Sequence, residues 1–222
     1  YANLSDRMMS VIGRFCDIQH VYSIDESFLH FNGYQPLIND WQAYGQLIRR
    51  TVWRETKLPV GVGFGPTPTL AKAANHAAKK LTGFNGVAVI DDEVSRRTIL
   101  QRMHCQDVWG VGKRLAKKLA LMDIHTAWQL AEQSPKTIRR QFSVVLERTI
   151  NELNGITCLN WDDVRQDKQA IFSTRSFGQR LCDPDAVKTA LINHASVVAQ
   201  KLRAQQSLTH RIYIFAASSS HE

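Results

Sequence analysis

Residues 22–31 read Tyr22-Ser23-Ile24-Asp25-Glu26-Ser27-Phe28-Leu29-His30-Phe31. Val21, Tyr22 and Ile24 on one side, and Phe28, Leu29 and Phe31 on the other, are strand-forming residues. The pair Asp25 and Glu26 is therefore expected at the bend between two antiparallel strands, at the lip of a sheet. Neighbouring carboxylates repel each other unless a positive charge lies between them. A divalent cation is one such charge, and Mg2+ favours hard oxygen ligands. A solvated Asp-Glu turn is the other reading of the same residues. What surrounds the pair has to decide.

Upstream, Leu4, Met8, Val11, Ile12 and Phe15 recur at helical spacing. Downstream, a helix is expected over 37–54, capped by Asn39 or Asp40, with Trp41, Tyr44, Ile48 and Val52 as its buried stripe. A strand follows over 58–64. There Val60, Val62 and Phe64 alternate with Gly61, Gly63 and Gly65, so one face carries no side chains and can admit another backbone or a ligand. Pro66 and Pro68 end it, a helix runs over 69–81, and Val87 to Ile90 form one more strand. The order strand, strand, helix, strand, helix, strand gives an α+β sheet with helices on one face. From Asp92 to about Gly155 the pattern is helical in short segments. Residues 162–168 are polar. A strand at 171–177, a helix at 183–204 and a strand at 211–216 open a third unit, too small to bury a core of its own.

Two constellations point to an anionic partner. Lys72, His76, Lys79 and Lys80 share one face of the helix over 69–81, opposite Leu70, Ala74, Ala77 and Leu81. Lysines held on a rigid face beside a carboxylate pair suit a metal-bound polyphosphate; a solvated lysine face is the plainer reading. In Asp107-Val108-Trp109-Gly110-Val111-Gly112-Lys113-Arg114-Leu115-Ala116-Lys117-Lys118-Leu119, a Gly-apolar-Gly turn opens a basic helix. Its exposed N–H groups suit an anion. This is the helix-hairpin-helix pattern that holds a nucleic-acid backbone without reading bases, with Val111, Leu115 and Leu119 packed inside. A third stretch, 173–180, puts Arg175 and Ser173 on one face of a strand with Phe177 close by, and such an exposed strand can follow phosphates or be a polar edge. The formal charge of +8 agrees with nucleic acid as partner.

Other classes are disfavoured. Cys16, Cys105, Cys158 and Cys182 have no zinc-ligand spacing and read as reduced buried thiols. No apolar run approaches membrane-spanning length and no signal peptide is visible, so a cytoplasmic protein with no membrane partner is expected. The chain opens at Tyr1 within a helical pattern and stops at Glu222 just after a strand-like run, which reads as an internal part of a longer protein.

Taken together, Tyr22 to Phe28, Val60 to Gly65 leading into Thr69 to Lys80, and Asp107 to Gly112, in that order, resemble the Y-family translesion DNA polymerases, in their UmuC branch. Phe142 to Thr149 and Arg175 to Gly178 add to the likeness, which covers essentially all 222 residues. The resemblance implies an incomplete ferredoxin-like palm over 1–91, a small helical thumb with a helix-hairpin-helix over 92–161, a linker over 162–170 and the start of an α+β little finger over 171–222. It implies error-prone synthesis across damaged DNA in the SOS response, by two-metal nucleotidyl transfer. Asp25 and Glu26 then hold two Mg2+ ions, and Lys79, with Lys72 in a less defined role, contacts the incoming deoxynucleoside triphosphate. Gly110, Val111, Gly112, Lys113 and Arg114 meet the duplex backbone, and Arg175 and Ser176 the template. Primer-template DNA, a UmuD-type accessory subunit, a RecA filament and the sliding clamp are the implied partners.

The sequence also departs from the family. The first catalytic aspartate, the fingers and the steric gate are expected upstream of Tyr1, so these 222 residues alone are expected to be inactive. Pro68 stands where relatives often carry lysine. Asp123 stands at a turn where relatives usually have glycine, and aspartate tolerates the left-handed conformation that such a turn demands. A non-catalytic DNA-binding module and a nuclease with a helix-hairpin-helix domain are the competing functions.

Overall fold

The computed structural model describes residues 1–34, 37–159, 168–178 and 182–216. They fall into two units, Tyr1–Arg165 and Gln166–Glu222, each described by itself.

The first unit opens with α1 (Ala2–Ile12) and a 3-10 turn (Gly13–Phe15). Strands β1 (Gln19–Val21) and β2 (Ser27–Leu29) then form an antiparallel hairpin, in the register Gln19↔Leu29, His20↔Phe28, Val21↔Ser27. Asp25 and Glu26 lie in its turn, as the alternating apolar residues predict. Helix α2 (Trp41–Thr56) begins four residues later than expected because the Asp40 side chain accepts from Ala43 N at 2.9 Å and sets the N-cap. It ends at Lys57, which takes a left-handed conformation (φ 60°). Then come β3 (Val62–Phe64), α3 (Pro68–Lys80) and β4 (Val87–Val89). Thr67 caps α3, accepting from Leu70 N at 3.2 Å, and Pro68 occupies the first turn, where its missing N–H costs nothing.

Two expectations about the sheet are corrected. Among the described residues there are two separate two-stranded ladders, β1 with β2 and β3 with β4, the latter parallel. Between them the contact is made by aromatic side chains, Phe31 and Phe64 with ring centroids 5.9 Å apart, rather than by ladder hydrogen bonds. Nor do the helices share one face of β3–β4. A Cβ at Gly65 would come within 2.7 Å of Ala71 N, and one at Gly63 would fall on the backbone of Ala71, Ala74 and Asn75. The glycine face therefore belongs to α3, whose own small residues Ala73, Ala74, Ala77 and Ala78 are buried. Val60, Val62 and Phe64 face the other way and pack with Met8, Met9, Val11, Ile48 and Val52 of α1 and α2. Both faces of a two-stranded ribbon need cover, and the alternation of Gly with Val and Phe assigns a helix layer to each.

Beyond β4 the chain is helical: α4 (Glu93–Arg102), a 3-10 turn (Cys105–Asp107), α5 (Lys113–Ala120), α6 (Ala127–Ala131), α7 (Pro135–Gln141) and α8 (Val144–Leu153). Such short helices depend on their ends. Asp92 with Ser95, and Thr126 with Gln129, form reciprocal capping boxes, and Ser143 caps α8. Asp123 takes the left-handed turn between α5 and α6 with φ 59°, as read from the sequence. One core runs from Leu70 and Ala77 through Ile99, Leu119 and Leu130 to Ile150 and Leu153. Of the four cysteines, Cys16 and Cys105 are buried, Cys158 is half-buried and Cys182 is exposed, so the expectation of uniformly buried thiols holds for two. Burial pushes the Cys105 thiol up to about 11. At pH 8 the thiol-reactive dye DTNB is expected to label Cys182 at once and to reach Cys105 only after denaturant is added; immediate labelling of Cys105 in a Cys105-only variant would contradict this burial.

In the second unit, α9 (Pro184–Ala204) is capped by Asp183. The strands expected at 171–177 and 211–216 are not formed. A strand exists through its partner's hydrogen bonds, and these two segments do not pair. Instead the first segment lies along α9: Lys201 Nζ donates to Phe172 O at 3.1 Å, and Ser173 Oγ pairs with His194 Nδ1 at 2.8 Å. Of the linker expected over 162–170, residues 162–167 lie outside the described residues.

Candidate active site

The β1–β2 turn is closed by Tyr22 N and Ser23 N donating to Glu26 O at 3.0 and 3.1 Å. Ser5 Oγ of α1 donates to Ile24 O at 2.5 Å, anchoring the turn from outside the hairpin. Asp25 is exposed, and its Oδ1 accepts from Ser23 Oγ at 2.7 Å. Glu26 is turned to α3, where Lys72 Nζ donates to both of its oxygens at 2.8 and 2.9 Å. The positive charge that neighbouring carboxylates demand is thus supplied in part by the chain itself.

The Lys72 ammonium also faces two aromatic rings, 5.3 Å from the Tyr22 ring centroid and 5.6 Å from that of Trp109. Trp109 Nε1 donates to the Tyr22 hydroxyl at 3.3 Å, and Phe28 closes the ring group at 6.0 Å from Tyr22. One helical turn on, His76 Nε2 is 3.9 Å from Asp107 Oδ2. The helix α3, the carboxylate turn and the segment before α5 therefore meet at one place.

Lys79 lies on the same face as Lys72, about 10 Å further along the axis. Its stem runs over Gly61, where a Cβ would come within 2.7 Å of Lys79 Cγ and 2.9 Å of Cε. Its ammonium end is exposed. The first glycine of the alternating strand thus seats a lysine stem, while the other two seat the α3 backbone.

The turn of 108–112 is closed by Val111 N donating to Val108 O at 2.9 Å. Gly110 has φ 87°, which an L side chain rarely adopts. Val111 and Leu119 are buried at 4% and 0% exposure and Leu115 is half-buried, as expected from the sequence. Gly112 caps α5 with ordinary backbone angles, and a Cβ there would meet nothing within 4 Å. No intramolecular contact requires glycine at that position. Lys113, Arg114, Lys117 and Lys118 are exposed. In the second unit, Arg175 and Ser176 are exposed on a segment without ladder hydrogen bonds.

One residue that anchors the start of α3 escapes sequence reading. Glu152 is 0% exposed. Its Oε2 accepts from Thr69 N in the first turn of α3 at 3.0 Å, and its Oε1 from Cys158 N and Leu159 N at 2.7 and 3.1 Å. Its backbone oxygen accepts from Thr67 Oγ1 at 2.8 Å. The signal was its place among the apolar positions of α8, beside Thr149, Ile150 and Leu153, where a carboxylate has to find buried donors.

The sequence profile of the impB/mucB/samB family matches residues 1–76, and that of the impB/mucB/samB family C-terminal domain matches residues 168–222. Protein SamB of Salmonella typhimurium is 40% identical over 221 residues, 99% of this chain and 52% of its own length. Protein UmuC of Salmonella typhimurium is 40% identical over 220 residues, with the same coverage of 99% and 52%. The chain spans about half the length of these curated relatives. Among solved structures, a Y-family DNA polymerase chimera superposes with a TM-score of 0.62 at 18% identity, covering 90% of this chain and 57% of its own. DinB from Sulfolobus solfataricus gives 0.56 at 22%, covering 69% and 44%. The two family profiles and the alignment with SamB and UmuC along 99% of this chain agree, and the chain belongs to the impB/mucB/samB family.

Proposed function

We propose that this chain is the nucleotide- and backbone-holding part of a template-directed DNA polymerase that copies damaged templates. The observation that carries this function is the meeting of three elements in one unit: the Asp25–Glu26 turn, the Lys72–Lys79 face of α3 and the Trp109–Gly112 turn ahead of basic α5. Asp25 and Glu26 offer the hard oxygens that Mg2+ prefers. Among the described residues no group of three or more His, Cys, Asp or Glu could hold a metal, so these two are part of a donor set rather than the whole of it. Bound there, two Mg2+ ions would lower the pKa of a primer 3′-hydroxyl and offset the charge of the in-line displacement. Lys79 binds the triphosphate of the incoming nucleotide, its stem lying over Gly61. The N–H groups at Gly110 to Gly112, with Lys113 and Arg114, hold the duplex backbone. The open space at Gly112 supports an outside ligand approaching that backbone. Arg175 and Ser176 grip the template strand.

In this proposal residues 1–91 are palm, 92–161 thumb with its helix-hairpin-helix, and 171–222 the start of a little finger. Synthesis belongs to a protein of the relatives' full length, working in the SOS response with a UmuD-type subunit, a RecA filament and the sliding clamp. Primer extension on a lesion-bearing template tests it: at full length, labelled primer is expected to lengthen past the lesion in the presence of Mg2+. Shortened primer would establish the nuclease instead. A DNA-binding module without catalysis is the second reading, favoured by the Lys72 ammonium already neutralising Glu26; it predicts bound but unextended primer.

A further inference from the structure

We propose that Lys72 is the built-in counter-ion of the carboxylate turn, displaced when a divalent cation binds, and that its release is transmitted to the DNA-facing turn through Trp109. This rests on the metal role of Asp25 and Glu26 given above and deepens it.

The geometry is specific. Lys72 spans both Glu26 oxygens, at 2.8 and 2.9 Å. A cation bound by either oxygen would compete with the ammonium and be repelled by it. The pair is not a loose surface contact: the side chains are 22% and 31% exposed. The same ammonium faces the rings of Tyr22 and Trp109 at 5.3 and 5.6 Å. Tyr22 belongs to the carboxylate turn, whereas Trp109 immediately precedes Gly110 of the hairpin. Lys72 therefore contacts, with one charged group, both the metal-ligand candidate and the segment that opens α5. His76 Nε2, one turn along α3, lies 3.9 Å from Asp107 Oδ2 at the other end of that segment. When a cation draws Glu26 away, the ammonium loses its carboxylate, and its place over the indole changes with it. Lys72 is accordingly a positioning residue, not a group that touches the reacting atoms.

The test uses the 222-residue chain, with free Mn2+ followed by electron paramagnetic resonance. Lys72→Met is expected to bind Mn2+ at least about tenfold more tightly than the wild type, because a unit charge within a few ångströms of the cation is removed. Lys72→Gln should do the same, and Lys72→Arg, which keeps the charge, should stay near the wild type; unchanged far-UV circular dichroism establishes that each variant folds. Saturating Mg2+ should change the Trp109 emission, isolated from the other four of the five tryptophans by subtracting the Trp109→Phe spectrum. That change should vanish in Lys72→Met. The inference is overturned if the neutral variants bind Mn2+ no more tightly than the wild type while Asp25→Asn weakens binding, an outcome that leaves the metal role of the turn standing. If Asp25→Asn leaves Mn2+ binding unchanged in both the wild type and Lys72→Met, the metal role itself fails, and this inference falls with it.

Discussion

Glu152→Ala is expected to lower the stability of the chain by about 3–5 kcal/mol, seen as a large fall in the urea midpoint. The carboxylate is fully buried and accepts from three backbone N–H groups, of Thr69, Cys158 and Leu159. Thr69 is itself buried, so its N–H has no water to turn to once the acceptor is gone. A lost acceptor in such a place costs the desolvation of the stranded donors as well as the bond. The negative charge also lies at the N-terminus of α3, where the helix dipole favours it. Glu152→Gln should cost less, roughly 1–3 kcal/mol, because the amide keeps one accepting oxygen but turns an NH2 group toward donors. Equal midpoints for wild type and both variants would show that the three bonds contribute nothing. The position matters beyond stability: Glu152 ties the end of α8 to the start of the helix that carries Lys72 and Lys79. Loosening it should disturb these two lysines from more than 70 residues away in sequence.

What the sequence could and could not say about this region follows from the range of each interaction. The bend at Asp25 and Glu26 was readable because flanking apolar alternation is local. The glycine alternation at 61, 63 and 65 announced a close backbone approach. It did not say that α3 would fill that face while α1 and α2 covered the Val and Phe face, since which helix lies on which side is settled by tertiary packing. Asp123 was readable because its left-handed φ of 59° is a demand of one residue. The helical period puts Lys72 on one face of α3 with His76 and Lys79. Its bond to Glu26 joins residues 46 positions apart, and no local pattern encodes such a pair. In sequence Trp109 is part of a Gly-rich turn, and only the fold brings its ring to Tyr22 and Lys72. Residues 171–177 and 211–216 have the composition of strands, but strand propensity measures fitness for a pleated, partnered surface. Without ladder partners the composition is there and the strand is not.

Asp25→Asn in a full-length polymerase should reduce nucleotide incorporation by about 10³-fold or more while leaving primer-template affinity within about twofold. The substitution is nearly isosteric. Asp25 is exposed, and the amide oxygen can keep the bond from Ser23 Oγ, 2.7 Å in the wild type. The turn itself is closed by backbone bonds from Tyr22 and Ser23 to Glu26 O, which the change does not touch. Stability should therefore move by no more than about 0.5 kcal/mol, the usual range for surface positions. What is lost is one negative charge at the place where two carboxylates are held side by side, one of them already sharing its oxygens with Lys72. Asp25 is thus the carboxylate with more capacity left for a cation, and its loss should weigh more than its exposure suggests. Glu26→Gln should also abolish incorporation but for two reasons at once, since it removes a donor and releases Lys72; its Trp109 emission should shift even without Mg2+, whereas that of Asp25→Asn should not. In the proposed function DNA is held by the turn at Gly110 to Gly112 and by α5, and neither variant alters those residues. A polymerase therefore predicts that catalysis and DNA affinity separate cleanly in Asp25→Asn. A binding module predicts that primer is bound and left unextended by the full-length wild type and by Asp25→Asn alike, and that result would decide for it.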